Sequence, residues 1–586
     1  MPRERSPRFG APVRWTLRII GVVLVLWLAG SVVLLVQAGN RASDGIDRLE
    51  QARDDLTTSK LLQGGGVAAL EAAEAAFTDA HDIADNPVLA PWRAVPLLGD
   101  NFGSVEALTA AARDVARIGA DAAASSEAVL DTSPATGVDR LAQLDDLEQI
   151  AARARRQLER VDLGPDFFLV GPVGDARERF ERRLQRLREA LADAQAVTRG
   201  TRQLLAGPSR YLLIAANNAE MRAGSGMFLS LGVATFADGE VTIGELQPSP
   251  FFNLPVGAVT PPPELEANWG WVHPSEEWRN LATSPRFDVT APLAAEMWRA
   301  STGQEVDGVL AVDPVALQAL LAAQGPVDID GRTVDADNVL QFLFVDQYLG
   351  LDTDREQAAR RDQLSAVARA AVDTLQTRPW DGPALAEELT RVGQGRHVLA
   401  WSDDAVEQAG WVAAGIDGVM QPDSLLVSLL NVGANKLDQF LAVDARLRTS
   451  EVPDGGIDVT VTMTVTNQAP TGLPAYVSGD PSTGLLEGLY RGIVAVSSPG
   501  AGSRATIEGA GISVVDGVDG PTRANATGYL EIPRGEERTI TVRFRLPAGF
   551  RDLVVEPSAR FPAITWHSGR RTWQDTQPRT QRVAAP

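Results

Sequence analysis

At 586 residues the chain is too long for a single hydrophobic core and points to several domains. Its 44% hydrophobic and 22% charged content is that of a globular protein, and a formal net charge of -22 argues against nucleic acid as a partner, because phosphates need a basic patch. Cysteine is absent, which excludes disulfides, zinc–thiolate centres and cysteine nucleophiles.

The first predicted element is a membrane span. Arg3, Arg5, Arg8, Arg14 and Arg18 precede IIGVVLVLWLAGSVVLLV, residues 19–36, which carries no charge. At 1.5 Å per residue this run covers about 27 Å, close to the bilayer hydrocarbon thickness. The pattern predicts a cytoplasmic basic tail over 1–18 and a transmembrane anchor over 19–37. The bulk of the chain would then be extracytoplasmic, in a single-pass protein of the cell membrane. The rival reading is a signal peptide cleaved near Val36-Gln37-Ala38, but the apolar run is longer than a usual signal core.

Residues 38–205 predict an α-helical bundle or stalk. Leu141, Leu144, Ala151, Ala154, Leu158 and Val161 fall at helical spacings, and Phe180, Leu184, Leu187, Leu191 and Ala194 form a seam. Residues 206–440 predict a layered α/β domain. Strand-like runs at 211–215, 228–235, 241–246 and 309–312 alternate with helical stretches at 291–300, 314–324, 336–348, 355–376 and 424–430. A Trp-rich excursion over 269–278 interrupts them; a lid, a membrane-surface contact and ordinary packing are its three readings. Residues 441–575 predict a β-sandwich. Ile457, Val459, Val461, Met463 and Val465 alternate with polar residues, and Ile540, Val542, Phe544 and Leu546 repeat the pattern. A tail, 576–586, closes the chain.

The chemistry-bearing stretch is YLLIAANNAEMRAGSG, residues 211–226. A strand built for the core ends in Asn217, Asn218, Glu220 and Arg222 and then in Gly224-Ser225-Gly226. In open α/β sheets ligands gather at the carboxyl ends of strands. Asn217 and Asn218 offer amide donors and acceptors, Arg222 a planar fork for carboxylate or phosphate, and Glu220 a base or a partner for Arg222. The alternative is a polar turn that satisfies its own backbone. LLNVGANKLDQF, residues 429–440, has the same character, with Asn431, Asn435 and Lys436. Lys436 is one of two lysines in an Arg-rich chain. Here the alternative is a helix end, capped by Gly433 and with its dipole offset by Lys436. If the two segments meet, they form a cationic, amide-rich pocket. Arg355, Arg361 and Gln363 lie on a third, helical stretch whose alternative is an exposed face. His81, His273, His397 and His567 lack ligand spacing and read as isolated surface or capping residues.

Together, RYLLIAANNAEMRAGSGMFLSLGVATFADGEV, VDGVLAVDPVALQALLAAQGPV, the Arg-rich helix and SLLNVGANKLDQFL resemble the domain of unknown function 4012 family, single-anchor envelope proteins of actinobacteria and other bacteria. That resemblance runs from about Pro91 to the β tail. More distantly, the order of strand, Arg-bearing loop and Arg-Arg-x-Gln helix is similar to the LytR-CpsA-Psr family. That likeness implies transfer of a glycopolymer from a polyprenyl pyrophosphate carrier to the cell wall, with arginines and Mg²⁺ clamping the pyrophosphate. Arg222, Arg355, Arg361 and Gln363 would match that family's residues, and Glu220 would be the nearest acid. Its second Arg-Asp motif is absent, because 245–250 reads ELQPSP. Three readings follow: a binder of a lipid-linked or anionic envelope glycopolymer at these residues, a transferase using Glu220 and Arg222, or a structural scaffold in which the amides bracket domains together. Oligomeric state is not legible.

Overall fold

A computed structural model of the chain describes residues 37, 41 and 65–583, except 94, 96, 97, 165, 167, 168, 170, 330, 350–353, 379, 380 and 480–485. The side chains of 65, 66, 93, 98, 100, 354–365, 382 and 383 also fall outside this description. The chain forms two compact units, Met1–Asp131 with Leu147–Gln195, and Thr132–Asp146 with Ala196–Pro586.

The described elements of the first unit are helices. Gly65–Ala84 and Leu98–Leu130 pack through Ala73, Phe77, Ala112 and Ala116. These pairs recur at i and i+4, so each helix presents one narrow apolar face, and the alanines allow close approach. A second cluster joins Ile118 to Ala154, Leu158 and Leu184. Leu187 and Leu191 of the predicted seam pack half-buried against it.

The expected membrane-anchored fold and single-pass location are corrected here. Among the described residues no helix is long and apolar enough to cross a membrane. The run 19–36 that suggested the anchor lies outside the described residues.

The second unit holds three large sheets. Its first sheet contains β1 (Ser209–Met221), β2 (Gly226–Ala237), β3 (Glu240–Ile243), β4 (Gln247–Pro248) and β5 (Gly308–Val312). A small hairpin follows, β6 (Val327–Ile329) with β7 (Arg332–Val334), and then β8 (Val398–Ser402). The order is β3-β2-β1-β5-β8, with β4 added to β2. Only β1 and β5 run parallel, from Tyr211↔Gly308 to Ala215↔Val312. Their carboxyl ends therefore open on the same edge.

The other two sheets form the sandwich. Its strands are β9 (Ser424–Asn431), β10 (Leu441–Glu451), β11 (Ile457–Asn467), β12 (Tyr490–Pro499), β13 (Thr506–Glu508), β14 (Ser513–Asp519) and β15 (Thr522–Ile532). β16 (Glu537–Leu546), β17 (Asp552–Val555), β18 (Thr565–Ser568), β19 (Arg571–Gln574) and β20 (Arg579–Arg582) complete it. One sheet runs β13-β16-β11-β10-β18-β19 and the other β14-β15-β12-β9-β17-β20. The alternating residues of β11 and β16 point into the shared core as their period of two requires.

Residues 424–430 are not the expected helix but strand β9, at the heart of the second sandwich sheet. SLLVSLLN is a continuous apolar run, and periodicity cannot separate a strand buried on both faces from a buried helix. Leu425, Val427 and Leu429 face the sandwich core, while Leu430 joins a second core with Leu212, Ile214 and Trp278. That second core also takes Ile493, Ala495 and Ala524 from the sandwich and Phe287, Ala291 and Met297 from helix Phe287–Thr302. The α/β layer and the sandwich thus share apolar packing.

Within the Trp-rich excursion, Trp269 and Trp278 are buried in this shared core, and Trp278 Nε1 donates to Phe252 O at 2.9 Å. Trp271 stays about half exposed, at 47%.

Candidate functional site

The polar end of β1 leaves its ladder. Asn217 still faces Met227 on β2, and the next pair is Met221 with Gly226. Asn218, Ala219 and Glu220 have no partner on β2 and bulge away, a device that re-aims side chains. The two glycines after them serve the chain's own backbone. A Cβ on Gly226 would stand 2.3 Å from the Asn217 backbone, and one on Gly224 would stand 2.8 Å from Ser284 O.

The sequence segments 217–222 and 431–436 do meet, and they meet in the interior. Asn217, Asn218, Glu220, Arg222, Asn431, Asn435 and Lys436 are all buried. Arg222 donates from Nε to Arg279 O at 3.0 Å. Its Nη1 donates to Met221 O at 3.1 Å and Asn431 O at 2.6 Å, and its Nη2 to Asn280 Oδ1 at 3.3 Å. Burial pulls its guanidinium down to about 10, against the pull of Glu220 and Asp438. Lys436 pairs with Glu220 and lies 5.3 Å and 5.2 Å from the ring centroids of Tyr348 and Tyr476. Burial pulls this ammonium down, but Glu220 and the two tyrosines outweigh it, and its pKa is raised.

The hub of the cluster is Asp438, a residue the sequence reading passed over. Its Oδ2 accepts from Asn431 Nδ2 at 2.8 Å and from Met221 N–H at 3.2 Å. Its Oδ1 accepts from Arg560 Nη1 at 2.8 Å and from the Tyr490 hydroxyl at 3.3 Å. Arg560 Nη2 also donates to Asp438 O at 3.0 Å. Burial raises the Asp438 carboxyl, with Arg560 and Asn431 pulling it back. Asn431 and Asn435 tie their own loop. Asn431 Nδ2 reaches Asn435 O at 3.0 Å, and Asn435 Nδ2 reaches Leu489 O at 3.0 Å. The helix-end alternative for Gly433 and Lys436 falls with the helix, since both follow strand β9.

Asn217 closes a local turn, its Oδ1 accepting from Ala219 N–H at 2.9 Å. Asn218 reaches further, donating to Asp313 Oδ2 at 2.6 Å and Ala559 O at 2.7 Å. Asp313 follows β5 and caps helix Pro314–Gln324 through Oδ1, with Val315 N at 2.9 Å and Ala316 N at 3.1 Å. Its Oδ2 also meets His397 Nδ1 at 2.7 Å. His397 is therefore not the isolated surface or capping residue expected: it is 8% exposed and bound to a carboxylate at the carboxyl edge of β1 and β5.

Arg355, Arg361 and Gln363 lie on helix Asp354–Thr377, and their side chains are outside the described residues. Among the described residues, no group of three or more His, Asp or Glu side chains could hold a metal ion, so no ligand set for Mg²⁺ is assigned. A more open polar cavity of about 650 Å³ lies elsewhere, along β3, with Glu240, Thr242, Arg369, Asp373 and Gln376 in its wall.

Asp438 stands inside a stretch already notable for Lys436, and a charged residue two places from a buried lysine was the available signal. Arg560 and Asp313 gave none. Only long-range packing brings them to the cluster.

No curated protein and no solved structure matches the chain, and the likeness to the LytR-CpsA-Psr family finds no support there. A family description does match, over about a quarter of the chain. It takes in β1 to β7 and the Tyr348 ring against Lys436, and it is narrower than the expected span from Pro91 to the β tail. Residues 206–348 match the family described as Protein of unknown function (DUF4012).

Proposed function

We propose that this chain works as a non-catalytic scaffold in which the polar motifs lock the α/β layer onto the sandwich. The observation that carries this reading is where the cationic groups spend their hydrogen bonds. Arg222 bonds to four oxygens of its own chain, Lys436 to Glu220, and Arg560 to Asp438. An anion clamp needs donors that face a ligand and are free to meet it. Here they face oxygens of their own chain, and buried amides complete the network, as a fold-specifying polar cluster requires. The binder and transferase readings both place a phosphate or glycan at Arg222 and therefore rank below the scaffold.

The test is thermal unfolding of the protein with and without a short-chain polyprenyl pyrophosphate glycan and Mg²⁺, for wild type and Arg222→Ala. The expected result is no ligand-dependent rise and a stability loss of about 3–5 kcal/mol in the variant, because four acceptors lose their partner. A rise in wild type that vanishes in the variant would restore an anion site and sink the scaffold reading, since a ligand binding only the native state must stabilise it.

A further inference from the structure

The carboxyl edge of β1 and β5 is where an α/β sheet ordinarily takes a ligand. In this chain, part of that edge is covered by residues 558–564, a segment between β17 and β18 that joins no strand. The segment behaves as a preformed tongue. Asp575 clasps both its ends: Oδ2 accepts from Ser558 N–H at 3.1 Å and its hydroxyl at 2.7 Å, and Oδ1 accepts from Ile564 N–H at 2.6 Å. The Asp575 N–H donates back to Ile564 O at 3.0 Å. None of these bonds involves the α/β layer, so the sandwich by itself holds the two ends of the tongue together.

What the tongue presents is a recognition pattern. Ala559 O takes the Asn218 amide, both Arg560 Nη atoms grip Asp438, and the Phe561 ring lies 6.1 Å from Phe344. Ala559 sits at φ 56°, a left-handed conformation unusual for a residue with a side chain, and such strain collects at clamps. The fit is incomplete. Asn218 Oδ1 and Arg560 Nε are buried at this contact with no hydrogen-bond partner. The strands that flank the tongue have short ladders to the rest of the sandwich. β17 meets β9 at two register positions and β18 meets β10 at three, while the β10–β11 ladder has eleven.

We infer that Asn218, Phe344 and Asp438 form a socket for an arginine-bearing tongue, filled in cis by residues 558–564 and able to take the same tongue from a second copy of this chain. The chemistry defines the occupant: an exposed carbonyl, then an arginine to fork onto a carboxylate, then an aromatic ring. A short parallel attachment makes residues 552–582 the exchangeable element, in the manner of a domain swap. The inference goes beyond the scaffold reading by giving the bracket a partner. A glycan that stabilised the protein would overturn that reading and leave this one standing.

The experiment uses the full chain with Arg560→Ala and a fluorescent peptide of residues 556–566. Anisotropy should show the variant binding the peptide at least tenfold more tightly than wild type does. A peptide that itself carries Arg560→Ala should not bind. A folded variant, judged by near-ultraviolet circular dichroism, that binds no better than wild type overturns the socket. If Arg560→Ala does not fold, Asp575→Asn replaces it; it loosens the clasp and leaves the socket intact, and the same tenfold gain is expected. Failure of both variants to fold makes the tongue part of the core and also overturns the proposal. Exchange between copies is read by sedimentation of Arg560→Ala mixed with wild type. A mixed dimer is expected, and its absence where the peptide binds overturns the exchange.

Discussion

Two polar regions of the second unit are built from similar residues and differ in what those residues face. The cluster around Asp438 combines arginines, a lysine, acids and amides, all of it buried, with Arg560 and Asp438 at 1% and 0% side-chain exposure. The groove along β3 combines Glu240, Arg369, Asp373 and Gln376 around about 650 Å³ of open space. In the first, burial makes every charge dependent on its partner. In the second, water screens the charged groups, and they constrain little. Residue type alone therefore does not mark a ligand site; the surroundings decide whether a guanidinium is a clamp for an anion or a tie within the fold.

That comparison breaks first at Lys436. Lys436→Met should cost about 3–5 kcal/mol in denaturant unfolding, because it leaves Glu220 buried without its cation. The double variant Glu220→Gln with Lys436→Met should recover part of that loss, and strict additivity would show that the two groups are not coupled. Asp438→Asn should cost about 2–4 kcal/mol, since Arg560 loses a charged acceptor while Asn431 and Tyr490 keep a polar neighbour.

A pH test sharpens the comparison from the sandwich side. Burial pushes the Asp575 carboxyl up to about 6, against the hydrogen bonds from Ser558 and Ile564. The folded state then holds this proton more tightly than the unfolded chain, so this group's contribution to stability falls as pH rises from about 4 to about 6, by about 1.4 kcal/mol per unit. Above that window the loss is complete; below it the contribution is fully present. The difference between wild type and Asp575→Asn, followed by denaturant unfolding across that range, should carry this slope. A flat difference would show the carboxylate to be unperturbed. The smallest effect belongs to the open groove. Arg369→Ala should change stability by no more than about 0.5 kcal/mol, and a large loss there would erase the contrast between the two regions.

The sequence by itself determined the local elements whose faces differ. The alternation in β11 and β16 fixed which residues point inward, because a strand with one wet face needs a period of two. The Asn-rich end of β1 announced that something polar is met there, and one reading of it was a bracket between layers. The sequence could not say that SLLVSLLN is a strand, because a run covered on both faces has no period to read. Nor could it join Arg560 to Asp438 across 122 positions, or Asn218 to Ala559 across 341. Those pairings exist only once the sandwich packs against the first sheet, and burial is what turns them from ordinary polar residues into mutually dependent ones.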